Sequence, residues 1–92
     1  MQKQISTKLV RKIVRSLYKV EGTTYTDKSK KAEHLRNVSF FIGKREADAV
    51  AQELRAILQL CGYTNKVKVT TSAEWSRSGG ITYLRVNNCV LD

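Results

Sequence analysis

An amphipathic pattern between Lys44 and about Cys61 constrains the fold more than any other part of this sequence. The apolar side chains recur at three- and four-residue steps and share one arc of a helix: Ala47, Val50, Ala51, Leu54, Ile57, Leu58 and Cys61. Gly62 follows, and glycine commonly ends helices. The pattern predicts a helix with one buried face, so other elements must cover that face.

Strand-like stretches flank this helix. Residues 37–42 are mostly β-branched or aromatic and end at Gly43. Residues 66–72 and 81–91 alternate in polarity and bracket a Ser/Gly-rich loop at 73–80, which predicts an antiparallel C-terminal β-hairpin. The short connections around the helix favour a right-handed crossover between two parallel strands.

A first helix is predicted over residues 4–20. Its apolar stripe comprises Ile5, Leu9, Ile13, Leu17 and Val20, widened by Val10, Val14 and Tyr18. We therefore expect a single α+β domain over residues 1–92, a two-layer sandwich in the order α-β-α-β-β. Its small mixed sheet would have both helices on one face. Residues 21–36 form a basic loop in this scheme, with room for a short edge strand at residues 23–26.

The chain is strongly basic. It carries 17 lysines and arginines against eight acids, a net charge of +9. Residues 1–44 hold 11 basic and three acidic side chains (+8), and residues 45–92 hold six and five (+1). This imbalance points to an anionic partner: nucleic acid, an acidic protein surface or an anionic membrane.

The first helix has a basic arc and contains no acid. The arc comprises Lys8, Arg11, Lys12, Arg15 and Lys19. Like charges four residues apart repel one another, so an unbalanced face suits contact with phosphates or with an acidic partner. A merely solvated basic face is the alternative. We expect Arg11 and Arg15 to be exposed.

Further candidate contacts follow along the chain. The loop and the start of the second helix contribute Lys28, Lys30, Lys31, Lys44 and Arg45, and the hairpin contributes Trp75, Arg77, Tyr83 and Arg85. Lys66 and Lys68 share a hairpin surface with Tyr83 and Arg85 if the strand register allows it. Trp75 either stacks on a base or caps the core.

Residues 37–45 combine an apolar strand, a glycine and two basic residues. This segment resembles the strand, glycine and paired-lysine segment of the Alba family of archaeal chromatin proteins, over about a tenth of the chain. The resemblance implies that Lys44 and Arg45 contact DNA or RNA, but it assigns no family to the chain.

The sequence lacks signatures of catalysis and metal binding. Its acids are scattered, its one histidine, His34, lies in a charged stretch, and Cys61 and Cys89 are not spaced as ligands. We expect both cysteines to be buried free thiols in a cytoplasmic protein without a cofactor. No stretch approaches the roughly 18 apolar residues of a membrane span.

These observations predict a non-enzymatic nucleic-acid-binding protein, with RNA slightly favoured over DNA because an aromatic hairpin suits unstacked bases. The alternative is a small accessory or inhibitor protein of the phage or regulatory type. Such a protein would dock its basic face on an acidic protein or ribonucleoprotein surface. Whether the chain forms a homodimer stays open.

Overall fold

A computed structural model describes residues 3–18, 25–72 and 81–91 of the chain. Within these ranges the elements are α1 (Thr7–Leu17), β1 (Tyr25–Lys28), β2 (Leu35–Phe41), α2 (Lys44–Leu60), β3 (Val67–Ser72) and β4 (Ile81–Val90). The predicted α+β class is confirmed. The predicted order lacked β1. This edge strand overlaps the short edge strand considered at residues 23–26 and spans Tyr25–Lys28.

The four strands form one sheet in the order β1-β2-β4-β3, and every neighbouring pair is antiparallel. The predicted mixed sheet is therefore wrong. β2 and β3 do run in the same direction, but β4 lies between them and pairs with both. Leu84 and Val86 of β4 are fully buried, in keeping with a strand that has a neighbour on each side.

One cluster of buried apolar side chains forms the core. It gathers residues of α1, α2, β2, β3 and β4, among them Val38 and Phe40 of β2. Successive side chains of a strand point to opposite sides of a sheet. Ser39 of β2 and Arg85 of β4, which pair with each other, therefore project away from this cluster. One face of the sheet therefore packs on the core, and the other face points away from it.

Helix α2 agrees closely with its prediction. Ala47, Val50, Ala51, Leu54 and Leu58 are buried. The helix ends in a left-handed turn in which Gly62 adopts a φ of 80°. The Gly62 and Tyr63 amides donate to the carbonyls of Gln59 and Leu58, at 3.1 and 2.8 Å. Cys61 lies at this cap and is exposed, so its predicted burial is wrong.

Helix α1 is shorter and rotated relative to its prediction. Ser6 caps it by accepting a hydrogen bond from the Leu9 amide at 3.1 Å, so the helix begins at Thr7. Val10 and Val14 are fully buried, whereas Leu9, which we expected in the apolar stripe, is 37% exposed. The wide apolar arc permits several rotations of α1 about its axis, so the sequence alone does not determine which side chains face the core.

Candidate nucleic-acid interface

A basic cleft of about 540 Å³ lies between the β1–β2 turn and the end of β4. Its lining comprises Asp27, Lys28, Ser29, Lys30, Lys31, Asn37, Lys68, Tyr83, Arg85, Asn87 and Asn88. Five of these side chains are basic and one is acidic, which gives a net charge of +4. Candidate residues from the predicted loop and from the hairpin therefore meet at one place. We call this site the basic cleft.

The hairpin register brings three of the cleft residues together. Lys68 of β3 pairs with Arg85 of β4, and Tyr83 of β4 pairs with Thr70. Lys68, Tyr83 and Arg85 therefore share the sheet side that faces away from the core, because residues opposite or two apart in a strand pair share a face. The shared hairpin surface considered from the sequence is confirmed for these residues.

A β-bulge builds the floor of the cleft. Between Arg36 and Val38 the β2–β4 register shifts, so Asn37 lies opposite both Asn87 and Asn88. Asn88 adopts a φ of 60°, a left-handed conformation that asparagine tolerates. The Asn37 side-chain oxygen accepts a hydrogen bond from the Asn88 amide at 3.1 Å. The bulge is thus held by a side chain that is itself buried.

Side chains on both flanks lock this floor to its neighbours. The Ser29 hydroxyl donates to Asn88 Oδ1 at 2.5 Å, which ties the β1–β2 turn to the bulge. Asn65 Nδ2 donates to the backbone carbonyls of Asn87 and Asn88, at 2.7 and 2.9 Å. The turn that carries Lys30 and Lys31 is therefore anchored to β4.

Arg85 is oriented by two neighbours. Its Nη2 lies 3.1 Å from Asp27 Oδ2, and its Nε donates to Asn87 Oδ1 at 3.3 Å. Both side chains of the Arg85–Asp27 pair are 32% exposed. Such a partly buried, charge-assisted contact restricts the guanidinium to one orientation. Asp27 therefore positions Arg85 at the wall of the cleft.

Hydrogen bonds within the chain engage the asparagine oxygens of the floor and leave N–H donors available. The side-chain oxygens of Asn37, Asn87 and Asn88 all accept hydrogen bonds from within the chain. Asn87 Nδ2, Asn88 Nδ2 and Arg85 Nη1 have no partner among the residues that the structure describes. With the lysine ammoniums, these groups make most of the cleft a surface of donors and positive charge, which matches an oxyanion. Asp27 Oδ1 is the exception, a buried acceptor without a partner among the described residues.

Aromatic side chains extend the same side of the sheet. Phe41 and Tyr83 pair across β2 and β4, with ring centroids 6.4 Å apart and an interplanar angle of 71°. Phe41 is 45% exposed, and Tyr25, at the β1 edge, is 59% exposed. Exposed rings next to cationic groups are the means by which proteins bind unpaired bases.

The basic arc of α1 is a separate surface, which we call the helical arc: Lys8, Arg11, Lys12 and Arg15. Lys12 and Arg15 are exposed and form no ion pair within the described ranges. Arg11 is half-buried, and its Nη2 donates to Thr26 Oγ1 at 2.6 Å. Its predicted exposure is wrong, because the rotation of α1 turns it towards β1. Strand β1 thus lies between the arc and the cleft.

Other predicted residues do not join the cleft. Lys44 and Arg45 begin α2 beyond the far end of β2, about 23 Å along a seven-residue strand from the β1–β2 turn. The Glu46 carboxylate folds back over Gly43, so an acid already lies at this helix N-terminus. Lys19, Trp75 and Arg77 lie outside the described residues.

Sequence reasoning missed the asparagines that form the floor. Asn87 and Asn88 break the alternating pattern of their strand, and two adjacent asparagines are a signal for a left-handed or bulged backbone. Asn37 carries no comparable signal, because its role depends on a strand partner fifty residues away. Asp27, the acid that orients Arg85, likewise carries no sequence signal for its role.

Residues 3–18, 25–72 and 81–91 contain no group of three potential metal ligands, and no helix among them is both long and apolar enough to cross a membrane. Burial raises the pKa of the Cys89 thiol from 9.0 to about 12, against an opposing effect of the Arg11 charge. Cys89 is therefore a protonated core residue at neutral pH.

Comparisons with protein-family models, with curated proteins and with solved structures find no match to this chain. The local likeness of residues 37–45 to the Alba family thus has no counterpart over the whole chain.

Proposed function

We propose that this chain is a non-enzymatic nucleic-acid-binding protein that favours RNA over DNA and binds it on the sheet side that carries the basic cleft. In this proposal both helices cover the opposite side and leave the cleft open to solvent. The observation that carries the proposal is the net charge of +4 around one cleft of about 540 Å³.

The size of the cleft supports this assignment. Small-molecule sites in proteins range from roughly 300 to 1,000 Å³, so the cleft suits a unit about as large as one nucleotide. A phosphate oxygen is a hydrogen-bond acceptor, and the unpaired groups of the floor are donors. Phosphate groups therefore fit the cleft both in charge and in hydrogen bonding.

The aromatic side chains favour a single strand. A base can stack on Tyr83 or Phe41 only when one of its faces is free, and both faces of a base are already stacked inside a duplex. Tyr83 lines the cleft, so a base on its ring would have its phosphate close to the cations. This arrangement is the reason for preferring single-stranded RNA to duplex DNA.

The test is a salt titration of binding to a short unstructured RNA, followed by fluorescence anisotropy. The logarithm of the association constant should fall linearly with the logarithm of salt, with a slope of about −0.7 for each RNA phosphate that the protein engages. A duplex DNA of equal length serves as the comparison and should bind more weakly. A flat salt response, or a preference for the duplex, would contradict the proposal.

A docking role for the helical arc is the second candidate. Lys12 and Arg15 are exposed on a surface apart from the cleft, which favours a separate acidic protein or ribonucleoprotein partner. Lysate treated with nuclease separates the two functions, since a partner held through nucleic acid is lost and a directly bound protein is retained. Retention that disappears in the double variant Lys12→Glu and Arg15→Glu would favour docking.

A further inference from the structure

The basic cleft carries more positive charge than one internal nucleotide can neutralise. Its five basic side chains and one acid leave a net charge of +4 in a space suited to about one nucleotide. An internal nucleotide brings a single phosphodiester with one negative charge. A terminal phosphate monoester brings about −1.5 to −2 and three acceptor oxygens, and a terminal triphosphate brings more.

The hydrogen-bonding groups of the cleft point to the same ligand. The floor offers amide and guanidinium N–H groups, because its own bonds already occupy the side-chain oxygens of Asn37, Asn87 and Asn88. Base edges present donors as well as acceptors, whereas terminal phosphates present three oxygens that are mainly acceptors at neutral pH. The N–H groups of the floor therefore match a phosphate group better than a base edge.

The basic and aromatic residues of the cleft lie towards opposite ends. Lys28, Lys30 and Lys31 occupy the end of the cleft at the β1–β2 turn, and Tyr83 occupies the part nearer the aromatic pair with Phe41. Arg85 lies between them, fixed by Asp27. Phosphates at the turn would place the first ribose over Arg85 and the first base against Tyr83.

The geometry points to the 5′-phosphorylated end of an RNA as the ligand of the basic cleft, with its terminal phosphates at the Lys28–Lys31 turn. The 5′ end is chosen over the 3′ end because di- and triphosphates, which match the surplus charge, occur there. This inference rests on the proposed function and narrows it. A free nucleoside triphosphate presents the same phosphates, so the experiment separates the two sources.

The experiment uses one RNA sequence with a 5′-hydroxyl, a 5′-monophosphate or a 5′-triphosphate. The triphosphate form should bind at least about tenfold more tightly than the hydroxyl form, an increment that one charge-assisted hydrogen bond provides. The monophosphate form should lie between them. Free ATP should compete more weakly than the triphosphate RNA, because it lacks the following nucleotides. Equal competition would assign the cleft to free nucleotides and overturn the inference.

A pair of matched variants locates the effect. Lys30→Gln with Lys31→Gln removes two exposed charges from the cleft, and Lys12→Gln with Arg15→Gln removes two from the helical arc. The cleft variant should reduce the triphosphate-to-hydroxyl preference to about onefold to threefold, as expected when charge-assisted contacts are lost. The arc variant should keep the preference. Circular dichroism checks that both remain folded.

The results separate the inference about 5′-phosphorylated ends from the proposed RNA binding on which it rests. Equal affinity for the three 5′ ends, with a steep salt response, overturns the inference and leaves RNA binding in place. Loss of preference in the arc variant with retention in the cleft variant would also overturn it. Absence of binding to every RNA, whatever its end, removes both.

Discussion

The helical arc and the basic cleft carry similar charge but differ in the group that holds an arginine: Arg11 of the arc donates to a hydroxyl group, and Arg85 of the cleft donates to a carboxylate. Lys12 and Arg15 of the arc are exposed and make no ion pair within the described ranges. In the cleft, Arg85 is held by Asp27 and Asn87. A free lysine or arginine loses up to about 2 kcal/mol of side-chain entropy when a ligand fixes it. Arg85 is held in advance and avoids much of that cost, so the cleft should bind an anion more tightly than the exposed Lys12 and Arg15 do.

The strongest way to break this comparison is to reverse charge on each surface in turn. Lys30→Glu with Lys31→Glu should weaken RNA binding roughly hundredfold, because two attractive contacts become repulsive. Lys12→Glu with Arg15→Glu makes the same change of four charges and should weaken binding by about threefold. Anisotropy at one fixed salt concentration measures both. A larger loss in the arc variant would transfer the RNA site to α1.

The second prediction concerns the floor of the cleft. Asn37→Ala removes the acceptor of the Asn88 amide, and a backbone donor left unsatisfied in a part-buried place costs about 1–3 kcal/mol. Urea unfolding should show a loss of about 2 kcal/mol in the free energy of unfolding. Arg15→Ala on the arc is the control and should change stability by less than about 0.5 kcal/mol. Equal effects would mean that the cleft is no better organised than the arc.

The third prediction concerns stacking. Tyr83→Ala should weaken binding of single-stranded RNA about tenfold, since base–aromatic stacking contributes about 1–3 kcal/mol per base. Tyr83→Phe keeps the ring and should bind nearly as well as the natural chain. Both affinities follow from the same anisotropy titration. If the two variants lost affinity equally, the hydroxyl and not the ring would be the contact, and the sheet side would lose its advantage for unpaired bases.

The smallest predicted effect concerns Cys89, the buried thiol on which the Arg11 charge acts. The unfolded chain loses the thiol proton from about pH 9, whereas the folded chain keeps it up to about pH 12. Above pH 9 the unfolded state therefore binds fewer protons, and the free energy of unfolding falls as pH rises. From pH 7 to about pH 9.5 the loss should reach about 0.8 kcal/mol.

Two variants isolate this thiol. Cys89→Ala removes the group, so its free energy of unfolding should lack the corresponding decrease with pH, whatever its stability at pH 7. Cys61→Ala removes the exposed thiol and should keep the decrease. Urea unfolding at each pH gives the values. The same decrease in all three proteins would show that burial does not raise the Cys89 pKa.

The parts of the fold that sequence predicted well are those with local causes. Helix α2 was expected over residues 44–61 and spans Lys44–Leu60, because its periodicity is long and Gly62 ends it. The pairing of β3 with β4 was also predicted from a local pattern, namely two stretches of alternating polarity that bracket a Ser/Gly-rich loop. The position of β4 was missed, since the crossover rule concerns β2, α2 and β3 alone and says nothing of a later strand entering between them.

The candidate site was predicted in charge but not in arrangement. Lys28, Lys30, Lys31, Tyr83 and Arg85 were all candidates, and they line one cleft. Their meeting depends on a β1–β2 pairing and on a bulge, both of which are set by contacts between distant parts of the chain. Helix phase caused the error at Arg11, because a wide apolar arc permits several rotations. Lys19, Trp75 and Arg77 stay predictions.

The left-handed backbone of Asn88 has a consequence for recognising relatives of this chain. At a φ of 60° only glycine, asparagine and aspartate are tolerated at low cost, and other residues lose roughly 1–2 kcal/mol. A homologue that retains the bulge should therefore show one of these three residues there, preceded by a strand of alternating polarity. Together with a lysine-rich turn some fifty to sixty residues upstream, this short signature would identify homologues whose overall sequences have diverged too far to align.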